Sequence, residues 1–128
     1  MTQLPSTDFS AIVVELKHYC LSAQQAVSGN SDSPAGLQTQ KLLVNEKITK
    51  VLVFLEANVL PLPDSQIPVN QQTQWLSIKT ELQRNARLLK MELAFWQASR
   101  SPQRFAQCQQ KLTDLLQQLV DFCEAMNC

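Results

Sequence analysis

Apolar residues recur at alternating steps of three and four along the C-terminal segment, and this pattern restricts the fold more than any other feature. Such spacing places every member on one face of an α-helix, because an α-helix has 3.6 residues per turn. The segment is therefore predicted to form one long amphipathic helix, which needs a partner for its apolar face. The members of this stripe are Phe105, Cys108, Leu112, Leu115, Leu119, Phe122 and Met126.

Three earlier segments show the same helical period. Four amphipathic helices that each bury one face predict an all-α antiparallel four-helix bundle, which forms a single domain over residues 1–128. Only two glycines are present, too few for the many tight turns of a β-sandwich or barrel. The earlier stripes are Phe9, Ile12, Val13, Leu16, Tyr19, Cys20, Ala23 and Val27; Leu37, Val44, Ile48, Val51, Leu55 and Val59; and Trp75, Ile78, Leu82, Ala86, Leu89, Leu93 and Trp96.

Local signals predict where the helices begin and end. Ser6 or Thr7 can cap the first helix, with Asp8 favourable in its first turn. Gly29 can end that helix in the left-handed conformation that other residues avoid. The second, third and fourth helices are predicted to begin at Ser33-Pro34, at Asn70 and at Ser101-Pro102.

A Pro-rich connector, residues 59–69, separates the second helix from the third. Pro61, Pro63 and Pro68 cannot continue a helix, so the second helix should end near Asn58 and an extended connector should follow. A connector of this length can cross from one end of a bundle to the other, or it can join two helical hairpins. The sequence leaves both paths open.

Charge and glycine content exclude several classes of function. Eleven basic residues balance eleven acidic ones, and a neutral chain lacks the surplus of cations that sequence-blind nucleic-acid binding requires. Gly29 and Gly36 are too far apart for a glycine-rich phosphate loop.

The N-terminus has neither the basic start nor the apolar run of a signal peptide, and no stretch has the length of a membrane span. We therefore expect a soluble cytoplasmic protein with reduced thiols.

Candidate catalytic or metal-binding groups are sparse. His18 is the single histidine, and Cys20 points about 200° away from it on a helix, so the two cannot form a local nucleophile pair. We interpret His18 as a residue at the boundary of the core, and Asp114, Asp121 and Glu124 as part of a solvated face. No pattern predicts an enzyme, a metal site or a cofactor.

The four cysteines contain no CxxC pair, which argues against a zinc site. Cys20, Cys108 and Cys123 fall on or beside apolar stripes, so they are interpreted as small buried apolar residues. Cys128 is terminal and could be exposed.

The third helix carries a second apolar face. Leu88, Met91 and Phe95 are centred about 150° from its Trp75-to-Trp96 stripe on a helical wheel, and Arg84 and Arg87 lie beside them. From residue 70 onward the chain has seven basic and five acidic residues, whereas residues 1–69 contain four basic and six acidic residues. The charge is neutral in sum but unevenly distributed, and the third helix has a basic flank.

This second face allows two interpretations. In one, it is internal, with the fourth helix on one side and the first or second helix on the other. In the other, it is a docking surface, because aromatic residues, Met and Arg are enriched at the cores of protein interfaces. The second interpretation predicts that Arg84, Arg87, Leu88, Met91 and Phe95 contact a protein partner or a second copy of the chain in a homodimer.

The segment ELQRNARLLKMELAFWQASRSPQRFAQCQQKLTDLLQQLVDFCEAM, residues 81–126, resembles the PatD family of filamentous, heterocyst-forming cyanobacteria. The Gln-rich helices and the FWQASRSP turn between two long helices carry the resemblance. It implies a non-enzymatic cytoplasmic protein that associates with FtsZ, the tubulin-like division protein. Such a protein would promote FtsZ assembly and so affect cell division and heterocyst frequency. The resemblance includes no residue-level binding motif.

A different class of protein also fits these features. Helical secretion chaperones of the flagellar type use an apolar helical face to hold an amphipathic helix of a partner. The apolar second face and the polar, Gln-rich composition of this chain suit that role as well.

Overall fold

The computed structural model describes residues 9–29 and 34–126, and within them the chain forms four α-helices and no β-strand. The predicted all-α class is therefore confirmed. No helix in these ranges is both long enough and apolar enough to cross a membrane. The helices are α1, Phe9–Val27; α2, Pro34–Phe54; α3, Gln72–Ala98; and α4, Pro102–Met126.

Polar contacts show that α1 and α4 are antiparallel neighbours. Lys17 Nζ lies 3.2 Å from Glu124 Oε2, and Gln24 Nε2 donates to Gln117 Oε1 at 3.0 Å. Residue numbers therefore rise along α1 as they fall along α4. The same two helices share an apolar interface, and α1 also packs along α2.

A second set of contacts orients α2 against α3. Lys41 Nζ donates to the Gln97 carbonyl at 3.2 Å near the start of α2, and Lys90 Nζ lies 2.7 Å from Glu56 Oε2 just beyond its end. These two helices are therefore antiparallel as well. Through α1, the Tyr19 ring contacts Phe54 at the end of α2, and the Phe9 ring contacts Trp75 near the start of α3. The end of α2 and the start of α3 therefore lie toward the same end of the bundle. The connector stays at that end and joins two hairpins, which decides between the two paths that the sequence left open.

The connector is more compact than the extended segment that the prolines predict. Helical backbone continues from α2 through a wider π-helical turn, Leu55–Val59, which confirms the predicted end near Asn58 to within one residue. Two short 3₁₀ turns follow, Asp64–Gln66 and Val69–Gln71. Leu62 and Ile67 are buried, so apolar side chains close this end of the bundle where proline prevents a regular helix.

The prediction that Gly29 ends α1 in the left-handed conformation is wrong. Gly29 does not have a positive φ. Instead, the buried Gln40 amide donates to the carbonyls of Val27 and Gly29, and Gln109 Nε2 also donates to Val27. Side chains from α2 and α4 thus satisfy carbonyls that a left-handed glycine would otherwise help to pair.

The predicted cap at Asn70 is also wrong. The Gln71 N–H donates to the Pro68 carbonyl at 2.8 Å and closes a 3₁₀ turn, so Asn70 lies inside that turn and α3 begins after it. The predicted start of α4 is confirmed, because the Arg104 N–H donates to Ser101 Oγ at 3.1 Å. The predicted caps Ser6, Thr7 and Ser33, together with Asp8, the Leu37 side chain and Cys128, lie outside the described residues.

Three cysteines pack in the interior, as their places on the stripes predict. Cys20, Cys108 and Cys123 are buried and none forms a disulfide. Burial raises the pKa of the Cys20 thiol strongly, and the nearby Cys123 raises it further. Burial also raises the pKa of Cys123 to about 12, although Lys17 opposes this.

The raised pKa values of Cys20 and Cys123 predict that the folded protein loses stability at alkaline pH. The ordinary thiol pKa is 9.0, so above pH 9 the unfolded chain releases protons that the folded chain retains. The free energy of unfolding should then fall by up to about 1.4 kcal/mol per pH unit for each thiol. Urea titrations between pH 8 and pH 10.5 should show a steeper decline for the natural chain than for Cys20→Ala/Cys123→Ala. Parallel declines would contradict the assignment.

Candidate docking surface

Helix α3 presents two different faces, and the difference follows from its position in the bundle. One face packs against α4 and, over a smaller contact, against α2. Its buried members extend the predicted Trp75-to-Trp96 stripe by two polar residues, Asn85 and Glu92. The full buried set is Trp75, Ile78, Leu82, Asn85, Ala86, Leu89, Glu92, Leu93 and Trp96.

The second apolar face of α3 points outward. Met91 is 44% exposed and Phe95 is 53% exposed, whereas Leu88 is partly buried against the core. The interpretation in which neighbouring helices enclose this face is therefore wrong. Helix α3 packs against α4 and α2, and both neighbours leave Met91 and Phe95 about half exposed.

All five residues predicted to contact a partner lie along this outward face. Arg84 and Arg87 are exposed, and Arg84 Nη1 lies 3.6 Å from Glu81 Oε2 on the preceding turn. Met91 and Phe95 are one helical turn apart, so one molecule could cover both, whereas the more exposed Leu42 and Val69, at 73% and 86%, lie on other elements. We call this face, which consists of Arg84, Arg87, Met91, Phe95 and the partly buried Leu88, the outer strip of α3.

The structure adds residues of α4 that sequence reasoning did not connect to this strip. A hollow of about 360 Å³ lies between the two helices, and its walls include Phe95, Arg104 and Cys108. A second hollow of about 190 Å³ lies beside Leu88 and Leu115. Both hollows are lined by Glu92 and Lys111, so they are adjacent along the same helix pair. We call the two hollows together the α3/α4 groove.

Glu92 lies at the junction of the two hollows. Glu92 is only 8% exposed, and its Oε2 atom lies 3.9 Å from Lys111 Nζ. A buried carboxylate needs a cation or donors to offset its lost hydration, and here Lys111 is that cation. The sequence carried a signal for this position, because Glu92 lies three residues after Leu89 and four before Trp96, two members of the predicted stripe.

The charged residues that line the groove balance, because Arg104 and Lys111 are basic and Glu92 and Asp114 are acidic. In the part of the chain that the structure describes, neither Arg87 nor Arg104 forms an ion pair with a carboxylate. Both are exposed, one on the outer strip and one on α4 across the larger hollow. Asp114, at the end of the smaller hollow, accepts a hydrogen bond from Gln110 Nε2 at 2.9 Å. The positive charge is therefore concentrated toward Phe95 and Arg104.

The other titratable residues are distributed over the surface. His18 is exposed rather than at the core boundary, and it borders a small hollow of about 90 Å³ with Lys47 and Lys50. Asp121 and Glu124 are exposed on α4, as the solvated-face interpretation predicts. Within residues 9–29 and 34–126, no three His, Cys, Asp or Glu side chains are grouped so that they could hold a metal ion.

Comparison of this chain with models of protein families, with curated proteins and with solved structures finds no match.

Proposed function

We propose that this protein is a non-enzymatic protein-interaction module that binds through the outer strip of α3. The exposure of Met91 and Phe95 in the folded bundle carries this proposal. Burial of both side chains by a partner would remove apolar surface from water. The exposed Arg84 and Arg87 can then form polar contacts at the edge of the same interface.

FtsZ is the partner that we propose. Residues 81–126, which resemble the PatD family, contain the whole outer strip and the α4 side of the groove. A protein that binds polymerised FtsZ more tightly than free FtsZ favours assembly, because binding shifts an equilibrium toward the bound state. In cells, such binding would influence division and heterocyst frequency, and the protein would act in the cytoplasm.

Promotion of assembly predicts a measurable shift in polymer mass. FtsZ with GTP should yield more sedimented polymer, and stronger light scattering, when an equimolar amount of this protein is added. The protein should itself appear in the pellet, and it should stay in the supernatant when FtsZ is omitted. Unchanged polymer together with no bound protein in the pellet would overturn the proposed FtsZ interaction.

A second candidate function is favoured by the α3/α4 groove. A groove between two antiparallel helices is a site in which an amphipathic helix of a partner can bind, as a secretion chaperone holds its substrate. Affinity capture from native cells, with identification of bound proteins by mass spectrometry, separates the two functions. Recovery of a helical secreted subunit and not FtsZ would favour the chaperone.

A further inference from the structure

A small hollow between α1 and α2 is lined by side chains that carry hydrogen-bond donors. Its volume is about 90 Å³, and the residues around it are His18, Tyr19, Ser22, Lys47 and Lys50. The first three lie within about one turn of α1, and the two lysines lie within one turn of α2. None of the five is acidic, so the charges here do not balance as they do in the α3/α4 groove. We call this feature the α1/α2 hollow.

Lys47 is the cation of the hollow that the protein leaves without a carboxylate. Lys50 Nζ lies 3.4 Å from Glu46 Oε1, so an acidic residue outside the hollow offsets that lysine. Lys47 is half-buried, and in the described part of the chain it forms no ion pair. Glu15, one turn before Tyr19 on α1, is exposed and does not line the hollow. An anion in the hollow would therefore meet an uncompensated positive charge that has lost part of its hydration.

The neutral side chains of the hollow add directed donors. Tyr19 and Ser22 are half-buried, and among the residues that the structure describes neither hydroxyl forms a hydrogen bond with the rest of the chain. The Tyr19 ring packs against Phe54 with the ring centroids 5.2 Å apart, which holds it beside the hollow. His18 has a ring N–H donor in either protonation state. Cationic and neutral donors from two helices thus line one small space.

We propose that the α1/α2 hollow binds a phosphate group, either as free phosphate or as the phosphoryl end of a small metabolite. A tetrahedral oxoanion takes about the space of two or three water molecules at about 30 Å³ each, so the hollow holds one such group. Lys47 supplies the compensating charge, and the two hydroxyls and the His18 ring supply hydrogen bonds to the anion oxygens. The site is separate from the proposed interaction surface, because no residue of α3 lines it.

His18 reports on binding directly, because it is the single histidine of the chain. Its imidazole protons are followed by NMR in D₂O while sodium phosphate replaces sodium chloride at constant pH and constant ionic strength, which keeps screening unchanged. The His18 signals should shift saturably with a Kd below about 10 mM. Sodium acetate, a planar monoanion, should give no saturable shift over the same range of concentration.

A matched pair of variants locates the binding. Lys47→Gln removes the charge from the hollow and should weaken phosphate binding at least about tenfold, because a charge-assisted contact is lost. Lys79→Gln makes the same change of net charge on α3, where Lys79 is also half-buried and forms no ion pair among the described residues. This control should bind phosphate as the natural chain does. Circular dichroism establishes that both variants fold.

Three outcomes would overturn this inference. They are a His18 shift that does not saturate, an equal response to acetate, and an equal loss of binding in Lys47→Gln and Lys79→Gln. Glycerol 3-phosphate, titrated in the same way, distinguishes the two sources of the phosphate group. Tighter binding than that of inorganic phosphate would support a small metabolite, and equal or weaker binding would support free phosphate.

Discussion

Phe95→Asp is expected to weaken the proposed association with FtsZ polymer by at least about 30-fold while the helix content of the protein stays unchanged. Phe95 is 53% exposed, so replacement removes little packing from the folded chain. In the complex, however, the same ring would be buried, and a carboxylate in its place would lose hydration without a partner. Co-sedimentation gives the affinity, and circular dichroism gives the helix content.

Leu76→Asp is the matched control for this variant. Leu76 also lies on α3 and is 57% exposed, but it is about 100° around the helix from Phe95. It should bind as the natural chain does. Unfolding of Phe95→Asp would mean that this face belongs to the core, and equal loss of binding in both variants would mean that the strip is not the specific contact.

Trp96→Ala is expected to lower the free energy of unfolding by about 3–5 kcal/mol, the largest effect on stability that we predict for one substitution. Trp96 is fully buried at 0% exposure, and its ring centroid lies 4.8 Å from that of Phe105 on α4. Removal of the indole leaves a cavity in the α3–α4 interface, which the surrounding helices can fill only in part. Urea or thermal unfolding gives the measurement.

Trp96→Phe separates the contribution of packing from that of the indole N–H. The Trp96 Nε1 atom is buried without a hydrogen-bond acceptor among the described residues, so its removal relieves an unsatisfied donor. Phe keeps an aromatic ring against Phe105, and the loss should stay below about 1.5 kcal/mol. A loss as large as that of Trp96→Ala would show that the indole makes a specific contact that the ring alone cannot replace.

Phe95 and Trp96 illustrate how far the sequence leads. The stripe containing Trp96 predicts burial, and the structure confirms it. The face containing Phe95 was recognisably apolar, but it could have been core or surface. A helical wheel gives the angle between two side chains, yet it does not say how many neighbours surround the helix.

The connector shows the same limit. Pro61, Pro63 and Pro68 predicted the end of the second helix, because proline lacks the N–H that a helix requires. They could not predict that Leu62 and Ile67 would close the end of the bundle, since that burial depends on where the other helices end. Nor could they predict a cap for α1 that comes from Gln40, in the next helix.

The four helices were determined by the sequence alone, because their 3.6-residue period and their Ser-Pro and proline boundaries act over a few neighbouring residues. The candidate site was decided by the tertiary structure. Arg104 and Lys111 meet the outer strip of α3 only because α4 returns antiparallel beside it. Glu92 is buried and Phe95 is exposed because α4 and α2 pack against one face of α3. That packing depends on residues distant in the chain.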